Sequence, residues 1–209
     1  MEKVVIVDYG MSNLHSVNSA FKKVAGDCFS IEICQDPKEI ENADRVVFPG
    51  QGAAADCMQQ IYAHQLVEPL KKAATEKPFL GICMGMQVLL GSSEENDGTE
   101  CLGMIEGSVN RFEMDDPSLK VPHMGWNTIH QKIDHPLWYK VEQDSYYYFV
   151  HSYYVQLASM EHCAGVTDYG VEFSSVIADG KVFAMQCHPE KSADNGLKLI
   201  TNFLNWNGD

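Results

Sequence analysis

Cys83 lies in the string Gly81-Ile82-Cys83-Met84-Gly85-Met86-Gln87, and His188-Pro189-Glu190 follows more than a hundred residues later. A thiol, an imidazole and a carboxylate are the parts of a nucleophile, its general base and the acid that orients that base, the set acyl transfer requires. Separation along the chain says little, because such groups meet only in the fold. The local pattern says more. Gly81 and Gly85 flank the cysteine two residues away on either side, where a sharp strand-to-helix turn leaves no room for side chains. Such a turn holds the thiol near a helix N-terminus, whose partial positive charge favours a thiolate. It also aims the first free amides, beginning with Met84, at a developing oxyanion. Without the two glycines an inert buried cysteine is the better reading, as it is for the other six, at 28, 34, 57, 101, 163 and 187.

His188 closes the apolar run Val182-Phe183-Ala184-Met185-Gln186. Pro189 removes a backbone donor and restrains its neighbour, so an extended tripeptide is predicted, with His188 and Glu190 leaning to one side and Cys187 to the other. Glu190 then accepts from one ring nitrogen, fixes the tautomer and leaves the other nitrogen to take the thiol proton. The histidines at 15, 64, 123, 130, 135, 151 and 162 lack H-E-x-x-H or similar spacing, so no metal site is expected. Val46-Val47-Phe48-Pro49-Gly50-Gln51-Gly52 leads a strand into a glycine loop without the Lys and Ser or Thr of a phosphate loop. Asp8-Tyr9-Gly10-Met11-Ser12-Asn13 fails the dinucleotide pattern at its second glycine. A loop at the carboxyl end of a sheet strand brings backbone amides to a substrate. Gly52, or the Gln51–Gly52 peptide, is therefore placed as the second oxyanion donor.

The elements that must hold these groups alternate in the first half of the chain. Strands are predicted at Val4–Val7, Phe29–Cys34, Arg45–Phe48 and Pro78–Ile82. Between them one helical face carries Leu14, Val17, Phe21 and Val24, and a helical region carries Ile61, Leu66, Val67 and Leu70. That alternation predicts an α/β fold with a mostly parallel sheet covered on both faces. The second half reads as strand-rich, with candidates at Gly107–Phe112, Ser145–Val150, His162–Val166, Phe173–Ile177 and Val182–Gln186, and turns at Asp168-Tyr169-Gly170 and Asp179-Gly180. A last helix carries Leu197, Ile200, Phe203 and Leu204, with Ser192 as its cap.

At 209 residues with 45% apolar side chains, the chain is read as one domain over 1–209. A net charge of −14, from 15 basic and 29 acidic residues, argues against a nucleic-acid footprint. No segment approaches the roughly 20 apolar residues that span a bilayer, and the N-terminus lacks the pattern of a secretory signal. Seven cysteines without a C-x-x-C pair fit free thiols in a reducing compartment, so the cytoplasm is expected.

G-I-C-M-G-M-Q at 81–87 with H-P-E at 188–190 resembles the class I (triad-type) glutamine amidotransferases. Pro122-His123-Met124-Gly125-Trp126-Asn127, His151-Ser152-Tyr153 and Asp8-Tyr9-Gly10 with Asn13, Leu14 and Ser16 narrow the resemblance to the glutaminase subunits of imidazole glycerol phosphate synthases, over essentially the whole chain. The resemblance implies a flavodoxin-like three-layer fold with extra antiparallel strands. It implies hydrolysis of L-glutamine to glutamate and ammonia, with the ammonia passed to a separate (β/α)8-barrel cyclase in a heterodimer that serves histidine biosynthesis. By carry-over Cys83 is the nucleophile, His188 the base and then acid, and Glu190 its orienter. Gln87 and Glu95 match positions that hold glutamine, Gly52 matches the oxyanion loop, and the 122–127 and 151–153 segments match those near the active site and the cyclase. No metal or organic cofactor is required for this half-reaction. Two residues depart from the family pattern: Ser12 replaces a glycine and is expected only to change a helix start, and Gln51 replaces an apolar residue in the oxyanion loop. Paralogous subunits that supply ammonia in surface-sugar biosynthesis share nearly the same motifs. The alternatives are therefore such a paralogue, another triad cysteine hydrolase, or a docking subunit that keeps the fold without turnover.

Overall fold

Val4, Val5, Ile6 and Val7 are wholly buried, and they alternate between two cores: Val5 and Val7 face one, Val4 and Ile6 the other. Neighbouring side chains of a strand point to opposite faces, so a strand apolar at every position belongs in the middle layer of three. Each such side chain contributes roughly 1.5–3 kcal/mol on leaving water. The computed structural model describes residues 1–11, 13–114 and 116–209. Its first half runs β1 (Glu2–Val7), α1 (Leu14–Ala25), β2 (Phe29–Cys34), α2 (Pro37–Asn42), β3 (Arg45–Gly50), α3 (Ala54–Ala63), α4 (Val67–Glu76), β4 (Phe79–Cys83) and α5 (Met84–Gln87). The second half runs β5 (Ser92–Ser93), β6 (Thr99–Glu100), β7 (Gly107–Arg111), β8 (His123–Gln131), β9 (Ser145–His151), β10 (Tyr153–Leu157), β11 (Cys163–Asp168), β12 (Glu172–Asp179), β13 (Val182–Met185) and α6 (Ala193–Asn205).

The sheet order is β2-β1-β3-β4-β13-β12-β10-β7-β5-β6, with β11, β8 and β9 branching from β12. From β2 to β13 every pairing is parallel, so these strands present their carboxyl ends along one edge. Residues of α1 and α6 share one core, where Phe21 and Phe203 meet edge to face at 6.1 Å, while residues of α2, α3 and α4 share the other. Beyond β13 the pairing to β12, β10 and β7 is antiparallel. The expected α/β architecture with extra antiparallel strands is the one observed.

The differences have local causes. The helical region expected around Ile61–Leu70 is two helices. Gln65 takes φ +56, and Leu66 N–H donates back to the Ile61 carbonyl at 2.9 Å, a left-handed stop with no glycine to announce it. Residues 123–131 form a nine-residue strand absent from the sequence reading, as do Tyr153–Leu157 and the helix at Pro37–Asn42. Ser192 occupies the N-cap position of α6, yet its hydroxyl makes no capping bond. Ser12 lies outside the described residues. The N-cap of α1 is Asn13, whose side chain makes no capping bond either.

Candidate active site

The carboxyl edge of the parallel strands gathers what the sequence set far apart. β1 leads to Gly10 and Met11, β3 to Gln51 and Gly52, β4 to Cys83 and β13 to His188, and all of these line one cavity of about 590 Å³. Open α/β sheets bind ligands in this place.

Cys83 ends β4 with φ +55 and ψ −112, a strained conformation for a side chain with a Cβ. Only a crowded surround holds it there. A Cβ on Gly85 would lie 1.8 Å from the Phe48 carbonyl oxygen of β3, and one on Gly81 would lie 2.9 Å from the Ala184 Cβ. The elbow thus packs its backbone directly against β3 and β13, as the two flanking glycines predicted.

His188 Nδ1 is 2.8 Å from Glu190 Oε1, and both side chains are almost completely buried. Contact is reached differently from the prediction. Residues 189–191 are not extended but form a single 3₁₀ turn, which folds the carboxylate back beneath the ring. Since an ionised carboxylate only accepts, Nδ1 carries the proton. Nε2 is buried without a hydrogen-bond partner among the described residues. Burial acts to lower the pKa of His188, but the Cys83 and Glu190 charges outweigh it and push the imidazole up to about 10. The backbone around the base is fixed on three sides. His188 N–H donates to the Tyr148 carbonyl at 2.8 Å, while the Ser192 hydroxyl donates to the His188 carbonyl at 2.6 Å and accepts from Tyr148 N–H at 2.9 Å. That is where the expected cap of α6 is spent.

Gln87 is buried, and its amide nitrogen donates to the Tyr153 carbonyl at 3.1 Å and to Gln186 Oε1 at 2.9 Å. Its own Oε1 has no partner among the described residues and is the atom left for a ligand N–H. Glu95 stands on the cavity wall, where its Oε2 accepts from Ala54 N–H, the first amide of α3, at 2.7 Å. Burial raises its pKa and the Ala54 bond opposes that rise. Gly52 has φ +89, and the loop before it is tied down: Gln51 N–H donates to the Met11 carbonyl at 2.8 Å, and the Cys57 thiol donates to the Gln51 carbonyl at 3.4 Å. Pro122, His151, Ser152 and Tyr153 close the opposite wall.

Sequence reasoning missed Gln186, Lys191 and the Tyr153 carbonyl. Lys191 lines the cavity directly after the H-P-E string, and nothing in the sequence marks it. Gln186 was findable, because the sequence reads Val182–Gln186 as a strand leading to His188 two residues on, although β13 itself stops at Met185. Behind the wall lies a buried histidine pair. His151 Nδ1 donates to the Tyr153 carbonyl at 2.7 Å, so its Nε2 accepts from His123 Nδ1 at 2.9 Å, and His123 Nε2 accepts from Asn127 Nδ2 at 3.3 Å. Burial pushes His123 down to about 4 and, with smaller contributions from its neighbours, His151 down to about 3.

This arrangement has counterparts among known proteins. The profile of the family described as "Glutamine amidotransferase class-I" matches residues 5–206. A protein of Hydrogenovibrio crunogenus named "Imidazole glycerol phosphate synthase subunit HisH" is 52% identical over 206 residues, covering 98% of this chain and 97% of that one. Its namesake from Nitrosococcus oceani is 49% identical over 208 residues, covering 100% and 99%. Among solved structures, PurLQS from Thermotoga maritima aligns with a TM-score of 0.73 at 18% identity, covering 98% of this chain and 99% of that one. A crystal structure titled as a glutamine amidotransferase aligns at 0.72 and 15% identity, covering 97% and 99%. Likeness at such low identity concerns the fold alone, and that fold is the three-layer α/β arrangement described above. With the profile match spanning nearly every residue and relatives half identical throughout, the chain belongs to the class I glutamine amidotransferases.

Proposed function

We propose that this chain is the glutaminase subunit of an imidazole glycerol phosphate synthase, working in the cytoplasm as one functional unit over residues 1–209. It hydrolyses L-glutamine to glutamate and ammonia and passes the ammonia to a separate (β/α)8-barrel cyclase in histidine biosynthesis. The observation that carries the reading is the meeting of Cys83, on its strained turn, and His188, backed by Glu190, at one cavity in a chain about half identical to such subunits along its length.

The chemistry follows from the groups. Cys83 Sγ, its proton passed to Nε2 of His188, attacks the side-chain amide carbon of glutamine as a thiolate. The carbonyl oxygen gains the negative charge, and the Met84 amide and the Gly52 loop, both on the cavity wall, are the donors proposed for it. Nε2 of the imidazolium gives its proton to the departing nitrogen, the C–N bond breaks, and a γ-glutamyl thioester remains. Neutral His188 then takes a proton from water, the hydroxide attacks the thioester, and glutamate leaves as Cys83 recovers its charge. Glu190 keeps Nδ1 protonated throughout, so that only Nε2 exchanges. The unpaired Gln87 Oε1 and the Glu95 carboxylate hold the ammonium end of the substrate.

A separate partner is supported by the surface beside the cavity. On the outer face of the β8–β9 pair, Met124, Trp126 and Tyr146 are 63%, 53% and 58% exposed. Pro122 and Val150 continue that apolar face into the cavity wall. Ammonia released into water is protonated and lost as a nucleophile, which favours a cover seated over the mouth. In the two-subunit complex, Cys83→Ala is expected to abolish glutamine-dependent synthesis while leaving synthesis from ammonium salt at raised pH intact. Glutamine consumption by that variant at the wild-type rate would overturn the assignment.

A further inference from the structure

Gln186 is wholly buried on the continuation of β13, directly beside the nucleophile. Its side chain has no freedom to flip. Gln87 Nε2 donates to Gln186 Oε1 at 2.9 Å, which obliges the other end of the Gln186 amide to be the donor, and that donor faces Cys83 Sγ at 3.7 Å. Gln87 is locked in turn, since its second N–H is given to the Tyr153 carbonyl at 3.1 Å, a group that can only accept. A main-chain oxygen on one wall therefore sets the polarity of two amides in succession, and the last hydrogen of the series points at sulfur. A donor so placed steadies a thiolate more than a neutral thiol, because a hydrogen bond to an ionised partner is the stronger one.

We infer that Gln186 is a positioning residue for Cys83: its amide, polarised by Gln87, holds the sulfur in its attacking orientation and favours its ionised form. The inference rests on Cys83 being the nucleophile, and Gln186 acts on the reaction only through it. The other titratable groups around the sulfur are Cys187 and His188 with Glu190 behind it, Tyr9 and Cys57 from the β1 and α3 side, and Glu95, His151, Tyr153 and Lys191 on the cavity wall. Substitution by leucine at 186 leaves the charges of all of them in place.

The test uses the full chain and two variants that differ at that one amide. Gln186→Leu removes the donor. Gln186→Glu keeps the shape and the acceptor for Gln87 but turns an oxygen toward the sulfur. Alkylation of Cys83 by iodoacetamide is followed from pH 5 to 10, with mass spectrometry resolving the Cys83 peptide from the other six cysteines. At neutral pH the leucine variant is expected to react about ten-fold more slowly than wild type, and the glutamate variant more slowly still, with both inflections moved to higher pH. Glutaminase kcat in the complex falls in the same order, while KM stays within about two-fold. A mere packing role predicts an unshifted inflection for Gln186→Leu, because leucine adds no charge beside the sulfur. If Gln186→Glu alkylates with the wild-type pH profile, the inference is wrong, whatever becomes of the leucine variant. Cys83→Ala separates the two ideas: its retention of glutaminase activity would remove the nucleophile reading itself, while equal profiles with an inactive Cys83→Ala would remove only the role of Gln186.

Discussion

The parallel half of the sheet and its antiparallel extension obey opposite rules. In β1, β3 and β4 nearly every side chain is buried, and the backbone itself forms contacts, so that a missing Cβ decides whether the nucleophile turn exists. In β8 and β9 the inner face sets His123, His151 and Asn127 among the buried Ile129, Tyr147 and Phe149, while the other shows Met124, Trp126 and Tyr146 to solvent. The first region holds Cys83 by close backbone packing. The second builds the far wall of the cavity and offers a surface. Rigid placement and an open surface pull a sequence in different directions, and this chain separates them into two kinds of sheet.

The contrast can be broken most forcefully at Gly85. Gly85→Ala puts a carbon 1.8 Å from a carbonyl oxygen of β3, so a loss of more than about 4 kcal/mol is expected, read by denaturant unfolding. A variant as stable as wild type would mean that the elbow is not held by backbone contact. Next in size is Glu190→Gln. Nδ1 loses its carboxylate partner, and glutaminase kcat is expected to fall by roughly 10³-fold with the fold intact. The imidazole titration, followed by NMR, should move down from about 10. An unchanged rate would leave Glu190 with a packing role only.

Acid sharpens the comparison, because the histidines of the two regions are shifted in opposite senses. Unfolded His123 takes up a proton as pH falls below about 6.5, whereas the folded residue resists until about 4. The unfolded chain then binds more protons, so the stability present above that range drains away as pH drops. His151, lowered to about 3, acts in the same direction. For His123 the difference is on the order of 3 kcal/mol. His188 works the other way: folded, it keeps its proton up to about 10, so its contribution is complete below about 6.5 and lost as pH rises through 10. Hydrogen exchange between pH 7 and 4.5 should show β8 and β9 loosening before β4 and β13. Simultaneous loosening would show that the two regions share one acid response. The smallest effect on the fold is expected from Trp126→Ala, within about 0.5 kcal/mol, accompanied by weaker association with the cyclase. Unaltered association would move the docking surface elsewhere.

How much of this could be read from the chain follows the same divide. The strands at 4–7, 29–34, 45–48 and 79–82 announce themselves because both faces are apolar or the alternation is plain, and the glycines around Cys83 fix the turn. Strand 123–131 does not. Its inward positions are His123, Gly125, Asn127 and Ile129, and its outward ones include Met124 and Trp126, so polarity runs contrary to burial. The stop at Gln65 was hidden because the left-handed residue is not glycine. In the site, Cys83, His188 and Glu190 were legible from residue type. What Gln87 does with its two amide hydrogens depends on Tyr153 and Gln186, whose proximity only the folded sheet supplies.

Two bonds tie His188 and Ser192 to the main chain of Tyr148, and a third, from the Ser192 hydroxyl to the His188 carbonyl, closes the set and gives His188 an unusual kind of address. Tyr148 belongs to β9 and stands opposite Trp126 in β8, its ring 6.2 Å from that indole. His188, the proposed general base, is thus bolted to the back of the exposed hairpin, while Cys83, the proposed nucleophile, is moored to β3 and β13. A load placed on the outer face has a direct route to the His188 main chain through these bonds. The distance between imidazole and sulfur is in that sense a gauge of where the two kinds of sheet stand relative to each other.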